Sequence, residues 1–417
     1  MTDNMATPLA REQRGLDACV HCGFCLQACP TYLALEDEND SPRGRIVLMH
    51  GLVDGTLSPH DPDVQTHLAR CLGCRGCETA CPSGVPYGHL LEAARATLDE
   101  ARRLPLAGKA LLWLLRHPRL WRIAMGISRF IAASPFPTLA SRLPSRYGFA
   151  MAMLASTDVP LERGRYTPDG DGSRETVATL LGCVMEGLFT ETNRATERVL
   201  LHNGYRLAAA PGQGCCGALH AHAGDLESAR TLARRNIAAF ERSNADLIVV
   251  NAAGCGAMVK EYGHLLRDDP LWADRAAAIG AKTRDVTEVL AAAGPVCGGP
   301  LPFRVTYDAP CHLCHAQRVT RQPLEVLEAI PELVRVPLRD AEQCCGSAGI
   351  YNLVEPDTAD AVLDTKLANI HATGASLVVT GNPGCLMQIG AGLVRGGMTA
   401  RAIHPVDLLD ASYAAGD

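Results

Sequence analysis

Two runs of cysteines in this chain keep one spacing: Cys19, Cys22, Cys25 and Cys29 followed by Pro30, then Cys71, Cys74, Cys77 and Cys81 followed by Pro82. Thiolate is a soft, charge-donating ligand. Three at three-residue intervals can wrap one face of a four-iron cube while a fourth reaches a different cube. In two-cluster ferredoxins the fourth cysteine crosses over. The spacing therefore predicts Cys19, Cys22, Cys25 and Cys81 on one [4Fe-4S] cluster and Cys71, Cys74, Cys77 and Cys29 on the other. Zinc also takes paired C-x2-C units, but a closed tetrahedral site has no use for the third cysteine or the trailing proline. That proline is expected to stop the local helix and turn the chain away from the cube. His21 and Arg75 lie inside the ligand loops, where they could tune a potential.

A second set of eight cysteines repeats itself. Cys183, Cys215, Cys216 and Cys255 are echoed by Cys311, Cys344, Cys345 and Cys385 at offsets of 128, 129, 129 and 130 residues, with a glycine after each vicinal pair. Four cysteines keeping that register point to a duplicated domain. The glycine implies a backbone that bends tightly or approaches something closely. Four thiolates per half suffice for one further iron-sulfur site. Zinc, a redox-active vicinal disulfide and a structural role compete with that reading. Cys297 and Cys314 fall outside the repeat and stay unassigned.

The elements that must position these thiols can be read from hydropathy. Between the two ferredoxin-type motifs, the segments 41–55 and 67–71 carry helical patterns, and 84–101 closes the module with another. Apolar runs at 177–183, 245–251, 303–308, 333–337 and 376–381 read as strands, and 217–240 and 357–371 as helices. Apolar strands alternating with helices imply a parallel, helix-covered sheet, whose ligands bind at the carboxyl ends of the strands. Cys183, Cys255, Cys311 and Cys385 fall at or just after such ends. The expected fold is a multidomain α+β chain. A helical two-cluster ferredoxin domain spans 1–103 and a helical, proline-rich connector spans 104–174. A duplicated α/β domain with parallel sheets follows, at 175–295 and 296–417.

Composition narrows the partners. The chain has 417 residues, 47% apolar and 20% charged, with a net charge of −6, so nothing favours a polyanion and nucleic acid is not an expected partner. Eighteen cysteines in tight motifs suit metal in a reducing compartment better than a secreted disulfide framework. The polar N-terminus lacks the apolar core of a signal peptide. A cytoplasmic protein is expected, with one reservation: residues 109–130 mix Trp113 and Trp121 with four arginines. The run is too charged to span a bilayer, but it suits a surface-lying helix. A linker whose apolar face packs on the next domain is the preferred reading, with Pro118 breaking any single long helix. The stretch Gly212-x-Gly214-x-x-Gly217 matches a dinucleotide fingerprint literally. Two of its variable positions are the cysteine pair, and the region where the acidic residue belongs reads as helix, so no FAD or NAD site is expected in this chain.

Taken together, CVHCGFCLQACPTY (19–32), SPRGRI (41–46), RCLGCRGCETACPSGV (70–85), GCCGALHAHAG (214–224), AAGCGAMVKEYGHLL (252–266), CCGSAG (344–349) and NPGC (382–385) resemble the iron-sulfur subunits of bacterial glycolate oxidases. The likeness runs from about Gly15 to Leu409. Similar fusions of a ferredoxin-type domain with two CCG domains occur in anaerobic glycerol-3-phosphate dehydrogenase, lactate-utilisation complexes and heterodisulfide reductase. The SPRGRI and KEYGHLL segments favour glycolate oxidase. The resemblance implies an electron-transfer subunit, not catalytic alone. FAD-binding partner subunits would oxidise glycolate to glyoxylate, and the electrons would leave to a quinone or another membrane acceptor, with the protein peripheral on the inner face of the cytoplasmic membrane. The rival is an enzyme that reduces a disulfide at a CCG cluster. In heterodisulfide reductase the CCG domain ends in CxxC and five cysteines hold a noncubane cluster; here that last position is Met258 in one half and Gln388 in the other.

Overall fold

The structure is a computed structural model that describes residues 7–99, 103–158, 161 and 166–416. Ala101, the last residue of the helical reading 84–101, lies outside the described residues, as do 159, 160 and 162–165 of the connector. In the N-terminal module, helices Pro42–Asp54 (α1), Pro62–Ala69 (α2) and Tyr87–Thr97 (α3) enclose a core that includes Leu16, Ile46, Met49, Leu68 and Leu90. Helix α1 begins at a cap built by its own sequence. The Ser41 hydroxyl accepts the Gly44 amide at 3.0 Å, and Pro42 occupies the first turn, where no amide is missed. The expectation for the prolines after the fourth cysteines needs correcting at one site. Pro82 follows the end of a short helix, Gly76–Thr79, but Pro30 opens the helix Pro30–Leu35, because its fixed φ suits a first helical position.

Gly44 is required by contact. A Cβ there would lie 2.0 Å from the Glu38 carbonyl oxygen. On propensity alone, alanine inside a helix gains about 1 kcal/mol over glycine. Gly44→Ala is instead expected to destabilise the module by about 1–3 kcal/mol or more, since the obstacle is backbone. A lowered thermal midpoint in the reconstituted protein checks the sign.

The connector is largely helical: Leu106–Leu115 (α4), Pro118–Ala132 (α5) and, after the five-residue helix Phe136–Ala140, Arg146–Ala155. The break falls at Pro118, as expected. Two parallel four-stranded sheets follow. Strands Thr176–Thr179 (β1), Arg206–Leu207 (β2), Leu247–Val250 (β3) and Thr283–Asp285 (β4) stand in the order β2-β1-β3-β4. Strands Arg304–Tyr307 (β5), Val334–Val336 (β6), Leu377–Val379 (β7) and Arg401–Ile403 (β8) repeat it as β6-β5-β7-β8. Val177 pairs with Leu247 in one sheet and Val305 with Leu377 in the other, so the cysteine register extends to the strands. Strands β2, β4 and β8 were not read from the sequence. Each has only two or three residues, and all three residues of β4 are polar or charged.

The expected helix 217–240 is two helices, Ala218–His222 (α6) and Leu226–Ser243 (α7). The break is at Gly224, whose φ is +81° and whose Cβ would meet the Arg95 backbone at 2.6 Å. The N-terminal module presses on the first repeat there, and the Arg95 guanidinium donates to the His222 carbonyl at 2.8 Å.

Candidate functional site

Each repeat places its thiols by topology. In both sheets the chain turns in opposite directions from β1 to β2 and to β3, or from β5 to β6 and to β7, which leaves a crevice beyond the carboxyl ends of the central pair. Cys183 follows β1, Cys215 and Cys216 follow β2, and Cys255 follows β3 on helix Ala253–Lys260 (α8). Cys311, Cys344 with Cys345, and Cys385 stand likewise after β5, β6 and β7. The glycine after each pair is forced. Gly217 and Gly346 have φ of +93° and +84°, and a Cβ on Gly346 would meet the Ala359 carbonyl, on helix Pro356–Thr373 (α9), at 2.5 Å.

The first repeat brings its four thiols together. Cys216 Sγ lies 3.3 Å from Cys255 Sγ, and hydrogen bonds from Cys183 and Cys216 pull the Cys215 thiol well below its ordinary range. The CCG turn is clamped from behind: Asn236 donates to the Cys215 carbonyl at 2.9 Å, and the Tyr262 hydroxyl to the Cys216 carbonyl at 2.8 Å. From the other side Trp121 Nε1 donates to the Cys183 carbonyl at 2.9 Å, so connector helix α5 roofs this site.

The second repeat also gathers its set, with a different lining. Cys344 donates to Cys311, Cys345 to Cys344 and Cys385 to Cys345, and each of these donated bonds holds its donor's thiol above the ordinary range. The Asn382 side chain donates to Cys385 Sγ at 3.4 Å. Beside this set Lys366 and Asp308, each 2% exposed, form an ion pair at 2.9 Å. With the two helices matched at Ala229 and Ala359, which back Gly217 and Gly346, the first half has the neutral Asn236 and Leu180 there, so the two sites differ in buried charge. Of the two unassigned cysteines, Cys314 is buried with its Sγ 3.9 Å from the Ala309 carbonyl, and Cys297 is exposed.

In the N-terminal module the eight cysteines line two cavities. Cys19, Cys22, Cys25 and Cys81 face the first, with Cys77 on its wall. Cys29, Cys71, Cys74 and Cys77 face the second, together with Arg45 and Arg75. Each motif's fourth cysteine thus stands with the other motif's first three. The donor set fits a four-iron cube: each cavity offers at least four thiols, and no carboxylate lines either. Burial holds Cys74 and Cys77 well above the ordinary thiol range, so protons must leave as metal arrives. The first cavity opens to solvent at Cys22, between Val20 and Phe24, each 68% exposed.

Sequence reasoning missed the residue that dominates the second cavity. Arg45, on α1, is fully buried and stands against Cys29 and Cys71. It pairs with Asp40 at 3.0 Å and donates to the His67 carbonyl at 2.6 Å and to Thr31 Oγ1 at 3.1 Å. Thr31 Oγ1 is in turn 3.2 Å from Cys29 Sγ, and the Tyr87 hydroxyl points at Cys71 Sγ at 3.7 Å. A buried cation and hydrogen bonds to sulfur both favour a reduced cluster. The available signal was SPRGRI, whose capped start and obligatory glycine mark a constrained turn of helix. Arg75, flagged from sequence, is mostly buried and pairs with Glu78 at 2.9 Å and Glu261 at 2.5 Å, tying the second motif to the first repeat. His21 lines the first cavity at the surface.

The four cysteine sets form one contiguous series. Cys77 lines both cavities of the N-terminal module. Cys74 packs with Cys344 and Cys311 in one buried group that also holds Leu72 and Tyr351. Asn382 then bridges the repeats: its amide donates to Cys385 Sγ, and its oxygen accepts the Gly254 amide, next to Cys255, at 3.2 Å.

The 4Fe-4S dicluster domain family matches residues 15–85, and the cysteine-rich domain family (CCG) matches 177–260 and 305–390. The chain is 40% identical over 413 residues to the probable glycolate oxidase iron-sulfur subunit of Bacillus subtilis (strain 168), covering 94% of this chain and 92% of that one. It is 36% identical over 388 residues to the glycolate oxidase iron-sulfur subunit of Escherichia coli (strain K12), covering 89% and 88%. Lactate utilization protein A of Exiguobacterium sp. (strain ATCC BAA-1283 / AT1b) is 31% identical over 236 residues, 56% of this chain and 96% of that one. A hypothetical protein from Helicobacter pylori, solved by crystallography, aligns over 76% of this chain and 74% of its own at a TM-score of 0.44 and 8% identity, too loosely to bear on the site. With a dicluster domain, two CCG domains and relatives aligned along nearly its whole length, this iron-sulfur protein belongs to the family of glycolate oxidase iron-sulfur subunits.

Proposed function

We propose that this chain carries electrons from an FAD-binding partner subunit, which oxidises glycolate to glyoxylate, to a quinone-type acceptor on the cytoplasmic side of the membrane. In this reading Cys19, Cys22, Cys25 and Cys81 hold one [4Fe-4S] cluster and Cys71, Cys74, Cys77 and Cys29 the other, and the two CCG sets hold further iron-sulfur sites. An iron-sulfur cluster accepts one electron at a time, whereas glycolate oxidation delivers two to the flavin. The protein's own residues supply the rest. The contiguous series from Cys22 to Cys183 carries the proposal, because Cys77 lines both ferredoxin-type cavities, Cys74 packs with Cys344 and Cys311, and Asn382 links Cys385 to the turn of Cys255. Val20 and Phe24 offer an apolar rim where a flavoprotein can exclude water, and Arg45 and Lys366 set buried positive charge beside the middle of the series. At the position of the fifth cysteine of heterodisulfide reductase, Gln388 is buried and accepts from Asn352 at 2.9 Å, which speaks against the disulfide-reducing alternative.

The reading is tested in the assembled complex. Cys345→Ser and Cys216→Ser are each expected to lower glycolate-to-quinone turnover by at least about tenfold, with assembly intact and flavin reduction by glycolate preserved. This chain alone should oxidise no glycolate. Unchanged quinone turnover in both variants would reduce the CCG domains to docking or structure, and glycolate oxidation by the isolated chain would overturn the proposal.

A further inference from the structure

The connector has two faces. Inward, Leu112, Leu115 and Trp121 pack with Cys215 and the half-buried Cys183 of the first repeat. Outward, α5 presents Leu120, Ile123, Ile127 and Phe130, at spacings of three, four and three residues, as one exposed apolar stripe. Leu106 and Trp113 on α4 continue it before Pro118, and Phe136 and Leu139 continue it after α5. Such exposure is concentrated rather than scattered: of 21 large exposed apolar side chains among the described residues, ten fall between Leu106 and Tyr147. A contiguous apolar face on that scale marks an interaction site.

Charge selects the occupant. From Leu104 to Thr157 the sequence has no Asp or Glu and seven basic residues: Lys109, Arg116, Arg119, Arg122, Arg129, Arg142 and Arg146. With the segment at +7 and the whole chain at −6, the rest of the protein stands at −13. Among the described residues, Arg129 is engaged within the fold by Thr190 and Arg146 by Asp357 and Asp360. Arg119 and Arg122 are exposed on the same helix as the stripe. Aliphatic and aromatic residues flanked by arginines, on a helix lying along the surface, suit the boundary between acyl chains and anionic headgroups. Among the described residues no helix is long and apolar enough to cross a membrane.

We infer that the outer face of α4 and α5, with the short helix after them, docks on an anionic bilayer surface and seats the first CCG site against the membrane. The Trp121 link is the structural reason: the helix that carries the stripe also roofs Cys183 through the indole hydrogen bond. This deepens the proposed quinone reading by naming the surface that meets the acceptor's compartment. The docking itself needs no electron transfer.

The anaerobically reconstituted full chain is tested by co-sedimentation with vesicles of phosphatidylcholine mixed with phosphatidylglycerol, and with vesicles of phosphatidylcholine alone. Binding to the mixed vesicles is expected, weakening as salt is raised. Arg119→Gln with Arg122→Gln should lower that affinity about thirtyfold, at about fivefold per arginine near an anionic surface. Ile123→Glu with Ile127→Glu should abolish it, with iron content and circular dichroism unchanged to show that the exposed positions leave the fold intact. In the assembled complex the Glu variant should lose turnover with membrane quinone and keep it with a water-soluble acceptor. Absence of binding to the mixed vesicles, or equal binding to both kinds, overturns the inference. So does weakened assembly with the flavoprotein in the Glu variant, which would assign the face to a partner subunit. If vesicle binding fails while Cys345→Ser still cuts turnover, the docking surface is wrong and the electron-transfer reading stands.

Discussion

Cys81→Ser is expected to cost this protein the cluster held by the first motif, and Cys29→Ser the cluster held by the second. The reason is spatial. Cys81 faces the cavity of Cys19, Cys22 and Cys25, while Cys29 faces that of Cys71, Cys74 and Cys77. The two variants should also differ in severity. Cys29 is buried, hydrogen-bonded to Thr31 and close to Arg45, so its loss disturbs a desolvated network; Cys81 is half-buried. Wild-type protein should hold at least about eight irons, four per ferredoxin-type cluster. Each serine variant should lose one of the two ferredoxin-type paramagnetic signals on dithionite reduction. If each variant lost the signal of its own motif, the crossed arrangement would be wrong, and stoichiometric zinc in place of iron would defeat the cluster assignment altogether.

Arg45→Met should have the largest effect of any substitution outside the cysteines. Arg45 is fully buried and ion-paired with Asp40, which is also fully buried and also touches Arg70 at 3.2 Å. Removing one partner of a buried pair costs about 3–5 kcal/mol, because the remaining charge stays desolvated. Methionine fills part of the volume, so the loss is electrostatic more than steric. The second consequence is redox. Taking a positive charge away from Cys29 and Cys71 disfavours added negative charge there, so the potential of the second cluster should fall, while that of the first changes less. Asp40→Asn should shift the same potential upward. A redox titration followed by paramagnetic resonance reads both signs, and identical potentials in wild type and both variants would remove Arg45 from any tuning role.

What could be read without the fold was what covalent spacing controls. C-x2-C-x2-C places thiols within reach of one cube whatever surrounds them, and a register kept over 128–130 residues forces two copies of one domain. The parallel sheets followed from apolar runs alternating with helical segments, because strands buried on both faces must be apolar throughout. Short strands such as β2, at Arg206–Leu207, carry too few residues for such a pattern. The break at Gly224 and the helix begun at Pro30 were equally hidden, the first because its cause is a backbone from another domain. Tertiary structure alone decided the neighbours. Arg45 reaches full burial only because Asp40, Thr31 and the His67 carbonyl converge on it, and Cys74 meets Cys344 across about 270 residues of chain. Asn382 touches both repeats because their corresponding loops face one another. Ligand identity is a local property of residue type and spacing, whereas the order of the sites and the charges beside them are set by packing between segments that no local pattern encodes.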